Sequence, residues 1–340
     1  MNVEHTDQHL LPRPVAGSVD ELLAGGRRAG PFHTAESRSG ALFDRVELDG
    51  APRVVKYVDL DHDFLLRVMD APRPGLLRAW ELGLMDLAPD AIDHATLGAA
   101  PWGHRGVALL MRDVSAELVP AGDDPIPEAH HRRFLDHLAA LAAATWGWHD
   151  EYGLVPMATR WGFFGTQALA REEALGFPEQ VPEIAVTGWR RFAERVPGPL
   201  GRLVDELRRD PTALVDAVAD TPWCFLHGDW KLSNVGAAAG GRTVLLDWAY
   251  PGFGPVCHEL SWYTALNRAR LPVGWTKEST ADELAAALGR HGVSTDGWWD
   301  RQLSLCHLGA LVQFGWEKAL GDQDELDWWC DAAGAGADLL

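Results

Sequence analysis

Residues 42–48 alternate in the manner of a strand, and Asp49-Gly50 follows at once. An Asp-Gly pair after such a run predicts a two-residue hairpin turn. Arg53-Val54-Val55-Lys56-Tyr57-Val58 is then the returning strand, rich in β-branched side chains but carrying one lysine. A further apolar run, Gly106-Val107-Ala108-Leu109-Leu110-Met111, predicts a buried strand that leads into Arg112-Asp113-Val114. Upstream, Ser18 with Glu21 three residues on is a helix-start pattern, and Gly25-Gly26 ends that helix. Residues 1–16 are polar and broken by prolines, and predict a loose arm.

The pattern becomes helical further along. Pro120, Gly122, Asp123, Asp124, Pro125 and Pro127 make a linker of 118–127. Phe134, Leu135, Leu138, Leu141 and Ala142 then recur at helical spacing and predict a core helix from Pro127 to about Trp148. Further helices are expected over 162–175, 183–194, 199–219, 257–268, 279–289 and 295–320. Glu172, Glu173 and Asp205 fall among them as surface acids. Between Asp63 and Trp80 the helical pattern is interrupted by Pro72 and Pro74. From Asp327 the tail runs into Gly-Ala repeats and is expected to fray.

One stretch organises the rest: His227-Gly228-Asp229-Trp230-Lys231-Leu232-Ser233-Asn234. An apolar run, 223–226, precedes it, and a second, 243–246, ends at Asp247. Two short strands thus hold a polar loop between them, with an acid at the far end. Such a loop can bring two carboxylates and an amide oxygen together. Phosphoryl transfer needs that set: a carboxylate to orient a hydroxyl, and oxygen ligands to hold Mg²⁺ beside nucleotide phosphates.

The spacing H-x-D-x-x-x-x-N, with a second Asp a short hairpin later, is that of the kinase catalytic loop and metal-binding Asp. On these residues the sequence resembles the aminoglycoside phosphotransferase and choline kinase family. The resemblance implies an α+β, two-lobed protein-kinase-like fold. A small antiparallel lobe would span 17–114 and a mainly helical lobe 115–340. Asp229 matches the catalytic Asp, and Asn234 and Asp247 match the Mg²⁺ ligands. His227 would brace the loop through backbone hydrogen bonds. Lys231, two residues past Asp229, would place an ammonium near the transferring phosphoryl group, although a solvated loop lysine is an equal alternative. Lys56 would be the phosphate-binding lysine, with Ser37, Ser39 and Gly40 near the phosphates. Met111 would limit the adenine pocket, and Arg112, Asp113 and Val114 would form the hinge. Glu81, Asp63 and Asp70 are rival partners for Lys56. The segment 250–262 is like the family's short path from the metal Asp to a structural acid at a helix start. That acid is commonly Asp, and Glu259 stands there. No long activation segment with A-P-E is visible, which disfavours protein substrates.

The net charge of −19 over 340 residues argues against nucleic acid or an anionic membrane as partner. It permits cationic substrates. Cys224, Cys257, Cys306 and Cys330 have no C-x-x-C spacing, as expected of reduced thiols in a cytoplasmic protein. The first residues lack a charged-then-apolar leader pattern, and no run reaches the ~18 apolar residues of a membrane span. His130, His131, His137 and His149 cluster on or near one helix without an acid to complete a metal site.

The function expected is transfer of the ATP γ-phosphoryl group, with Mg²⁺, to a hydroxyl of a small molecule such as an aminoglycoside, another antibiotic, an amino sugar or an amino alcohol. Acceptor contacts are expected between the loop and the later helices. Glu259, Asp296, Asp300 and Glu317 are the candidate carboxylates there, and Trp262, Trp299 and Trp316 the candidate aromatic faces. Two other classes stay open: a nucleotide-binding pseudokinase without transfer, and a metal-dependent hydrolase using the His and Asp residues.

Overall fold

The computed structural model describes residues 10–32, 41–69 and 74–340. A single helical turn, α1 (Val19–Leu22), is capped by the Ser18 hydroxyl, which accepts from the Glu21 N–H. Three strands follow: β1 (Arg27–Phe32), β2 (Leu42–Leu48) and β3 (Ala51–Asp59). Asp49 and Gly50 join β2 to β3 with φ of 52° and 70°. Two positive values in a row are the hairpin turn that matches strand twist, and they explain the Asp-Gly pair. Two short helices come next, α2 (Phe64–Met69) and α3 (Gly75–Glu81). A two-residue strand, β4 (Ile92–Asp93), precedes β5 (Thr96–Trp102) and β6 (Gly106–Arg112).

Five of these strands form one antiparallel sheet in the order β1-β2-β3-β6-β5. Its two faces serve different cores. Val55, Tyr57, Ala108 and Leu110 pack under α1 in a small cluster. Val54, Val58, Leu109 and Met111 join the main core on the other face. Lys56 lies in register with Val54 and Val58, so it points to the side of the helical lobe.

That lobe begins with α4 (Glu128–Ala144), α5 (Met157–Trp161), α6 (Thr166–Ala174), α7 (Gln180–Arg195), α8 (Pro199–Arg209) and α9 (Thr212–Ala219). Then come β7 (Cys224–Leu226), β8 (Val235–Ala237), β9 (Thr243–Leu245) and β10 (Gly252–Gly254). Four helices close the chain: α10 (Val256–Leu266), α11 (Lys277–Arg290), α12 (Trp299–Leu320) and α13 (Gln323–Ala337). Among the described residues no helix is long and apolar enough to cross a membrane.

Two expectations need correction, and one pairing is not legible in the sequence. The apolar runs at β7 and β9 do not pair with each other. β9 pairs with β8 on one side and with β4 on the other, while β7 pairs with β10. Their partners, the short Val-Gly-Ala and Gly-Phe-Gly strands, carry too little apolar pattern to show in sequence. The tail does not fray: α13 buries Leu326, Trp329 and Ala333. Its Gly-Ala composition allows close approach, since a Cβ at Gly336 would strike the Ser304 carbonyl of α12. Glu172 is not a surface acid. It is 1% exposed and takes a bidentate pair from Arg67 of α2, at 2.7 and 2.9 Å. Glu179 joins the same guanidinium at 2.8 Å, so α2 is tied by charge to the helical lobe.

Candidate active site

The loop after β7 turns at Gly228 (φ 88°) and closes in a 3₁₀ turn, Leu232–Asn234. Three donors hold the Asp229 carboxylate. Trp262 Nε1–H donates to Oδ1 at 2.9 Å, while Lys231 Nζ and Asn234 Nδ2 both donate to Oδ2 at 2.8 Å. Asn234 Nδ2 also reaches the Asp229 carbonyl at 3.0 Å. Burial raises the Asp229 carboxyl above its ordinary value, against the pull of the Lys231 ammonium. Burial would lower Lys231, yet the adjoining Asp229 carboxylate leaves it raised overall. The ammonium and the carboxylate oxygen face each other at 2.8 Å.

Beneath the loop, Glu259 of α10 accepts from the Gly228 N–H at 2.6 Å and from the Trp230 N–H at 3.3 Å. His227 is buried, and its Nδ1 accepts from the Asp229 N–H at 3.2 Å. Burial pushes its imidazole down to about 3, so it is neutral at any working pH. It packs edge-on against Trp248 at 4.9 Å. Both side chains, His227 and Glu259, thus accept hydrogen bonds from backbone N–H groups of the loop.

Asp247 follows β9 in the left-handed region, with φ of 63°. Its Oδ1 lies 2.9 Å from Lys56 Nζ, which brings β3 of the small lobe to the end of β9. Burial would raise this carboxyl, but Lys56, and then Lys231, hold it below its ordinary value. The Leu246 N–H donates to the Asn234 carbonyl at 2.8 Å, which joins the two halves of the site. Asp63 stands close by. Burial lifts it to about 6, opposed by the Leu66 N–H at 3.0 Å and by the charge of Lys56. Of the three rival partners for Lys56, Asp63 is thus within electrostatic reach, and Asp70 lies outside the described residues.

Ser37, Ser39 and Gly40 also lie outside them. Met111 is buried on β6 and turned into the main core. Arg112 pairs with Asp93, and Arg242 meets the same carboxylate at 3.3 Å. Asp113 accepts from the Ser115 N–H, and Val114 packs with Ala95 and Val244.

The acceptor candidates do not form a common surface. Glu259 is committed to the loop backbone. Trp262 is buried and spends its N–H on Asp229. Trp316 is buried against Phe164. Trp299 stacks edge-on with Trp298, which meets Trp146. Asp296 is exposed and accepts from the Ser294 hydroxyl, Asp300 is exposed at the start of α12, and Glu317 pairs with Lys318 at 2.7 Å. Trp262 and Trp316 lie on the buried faces of α10 and α12, while Trp299 is half-buried at the start of α12.

Arg160 was not visible from the sequence. It is fully buried under Gly228, and its charge acts on Glu259 and Asp229. An arginine within the apolar stretch Met157–Phe164 is the only local sign of it.

A five-stranded sheet over a helical lobe, with an Asp-Lys-Asn loop facing a Lys-Asp pair, defines a kinase-like phosphotransferase fold. A family model described as the phosphotransferase enzyme family (APH) matches residues 82–301. The chain belongs to that family. Among solved structures, the choline kinase LicA from Streptococcus pneumoniae is 12% identical, with TM-score 0.50, covering 94% of this chain and 96% of that one. LicA in complex with AMP gives 10% identity and TM-score 0.52 over 93% and 94%. A microcompartment-associated aminopropanol kinase gives 9% and 0.48 over 92% and 90%. At such identities the likeness is one of fold. No curated protein gives a significant sequence match.

Proposed function

We propose that the protein transfers the γ-phosphoryl group of ATP to a hydroxyl of a small molecule, by direct in-line attack. The observation that carries this is the Asp229 carboxylate, buried and fixed by three donors, beside the Lys56–Asp247 pair. Oriented in this way, Asp229 accepts the hydroxyl hydrogen bond and takes the proton as the O–P bond forms. Lys231 sits where its ammonium can pass from Asp229 to the transferring phosphoryl oxygens. Lys56 supplies charge for the nucleotide phosphates from β3, below Met111 and the hinge of Arg112, Asp113 and Val114.

Mg²⁺ fits the donor set at Asn234 and Asp247. Asp247 is held ionised, and the Asn234 amide nitrogen is committed to Asp229, which leaves its Oδ1 as the donor atom. Two protein oxygens with phosphates and water completing the shell suit this hard cation. When bound, the ion neutralises charge on the phosphates.

The acceptor is a hydroxyl-bearing small molecule of the kind named in the family: an aminoglycoside or other antibiotic, an amino sugar or an amino alcohol. The deciding experiment is an ATP-consumption screen across these classes with Mg²⁺ present. Acceptor-dependent ADP release with a phosphorylated product seen by mass spectrometry is expected. ATP binding without turnover on any acceptor would leave a pseudokinase. Hydrolysis without nucleotide would indicate a metal-dependent hydrolase.

A further inference from the structure

Arg160 lies on α5 with no solvent exposure. Its Nη2 donates to the Tyr250 carbonyl, and its own carbonyl accepts from Gln313 Nε2 at 2.5 Å. Nε and Nη1 have no hydrogen-bond partner among the described residues. Two glycines make room for the fork. A Cβ on Gly228 would collide with Nη1 and with the Tyr250 carbonyl, and one on Gly252 with Nη2 and the Val155 carbonyl. Gly228 also holds a φ that other residues resist. Burial lowers the guanidinium to about 10, which leaves it charged at neutral pH, and the carboxylates acting on it are Glu259 and Asp229.

A buried cation with two of its three guanidinium nitrogens unpaired burdens the fold. An apolar side chain would fill the space at less cost. What the cation adds is opposite charge beneath two buried carboxylates, one of which holds the Gly228 and Trp230 N–H groups. Protein kinases carry arginine in the middle of the corresponding tripeptide. Here that residue is Gly228, and a guanidinium packs against it from α5.

We propose that Arg160 is a positioning residue: seated between Gly228 and Gly252, it packs directly against Gly228 and holds the loop that carries Asp229. This deepens the phosphotransferase assignment and rests on Asp229 as the acceptor-orienting group. Arg160→Met keeps volume and removes charge. Arg160→Lys restores charge without the planar fork. Gly252→Ala keeps the guanidinium but crowds Nη2, together with the Val155 carbonyl, from the other side.

For each variant, backbone hydrogen exchange across 225–235 is measured first, because it needs no activity. Mg·ATP affinity by calorimetry, and kcat and KM with an accepted substrate, follow. Arg160→Met should speed exchange at Gly228 and Trp230 about tenfold or more and lower kcat by roughly 10²-fold, with Mg·ATP affinity and acceptor KM within about threefold. Arg160→Lys should recover much of the loss, and Gly252→Ala should show a milder form of it. Unchanged exchange in folded Arg160→Met, a Lys variant no better than Met, or KM and nucleotide affinity lost in step with kcat would each overturn the proposal. Should Arg160→Met not fold, Gly252→Ala decides, and wild-type exchange there rejects the role. If the wild-type protein transfers no phosphoryl group, the functional assignment fails by itself, while the exchange data still judge Arg160.

Discussion

Asp229 and Asp247 belong to one polar cluster but are held by opposite means. Asp229 is 1% exposed, raised by burial, and fixed by donors that all come from the helical lobe. Asp247 keeps 24% of its side chain exposed, is lowered by Lys56, and sits on a left-handed backbone. Its partner comes from the small lobe. The first arrangement suits a group that must not move while a proton is transferred. The second suits a group that exchanges one cation for another when a nucleotide and its metal arrive. Substitutions should therefore separate chemistry from binding.

The largest effect is expected at Asp229. Asp229→Asn should lower kcat by about 10²–10⁴, the range for a lost proton-handling group, while Mg·ATP affinity by calorimetry changes little. Near-normal turnover would remove Asp229 from the mechanism. At Asp247 the loss should fall on binding instead. Asp247→Asn tolerates the left-handed backbone and removes the charge, so folding should persist while Mg²⁺-supported ATP binding collapses. Asp247→Ala should do the same with some added backbone strain. Unchanged Mg·ATP titrations in both variants would dissolve the contrast.

A smaller effect sharpens it. Trp262→Phe keeps a ring in the core but removes the N–H that fixes Asp229 Oδ1. A hydrogen bond to a charged group contributes roughly 1.5–3 kcal/mol, so kcat should fall about 10–100-fold with acceptor KM nearly constant. If KM rose instead and kcat held, Trp262 would be an acceptor contact after all.

What could be read from the sequence was local. The loop 227–234, the lysine on β3 and the Asp-Gly turn each announce themselves within a few residues, because hydrogen bonding and turn geometry act at that range. The structure duly brings Asp229, Lys231, Asn234, Asp247 and Lys56 together. What escaped depends on contacts far apart in the chain. The N–H of Trp262 meets a carboxylate 33 residues away. Arg67 meets Glu172 at a separation of 105. Arg160 is a helix residue whose guanidinium fits only because two distant glycines leave space for it. Small residues misled in another way. In α13 they read as a frayed end, whereas a glycine packed against α12 permits close helix approach.

Asp63 supplies the smallest and most specific test. It is the third carboxylate of the cluster, buried at the start of α2, and burial lifts it to about 6 from an ordinary value of 3.8. The folded protein thus holds this proton more tightly than the unfolded chain. The stability it contributes is full below the unfolded value and is lost as pH rises through the folded one, between about 4 and 6. A displacement of this size corresponds to at most about 3 kcal/mol. Asp63→Asn removes the titration and keeps a carbonyl oxygen for the Leu66 N–H. Near pH 4 the two proteins should melt together. By pH 7.5 the variant should melt a few degrees higher, roughly the shift that this energy makes in a chain of this size. A wild-type Tm that instead rises relative to Asp63→Asn between pH 4 and 7.5 would mean that Lys56 returns more to Asp63 than burial takes away. Lys56 would then be shared between Asp63 and Asp247, and the small lobe would be tied to the cluster through two carboxylates.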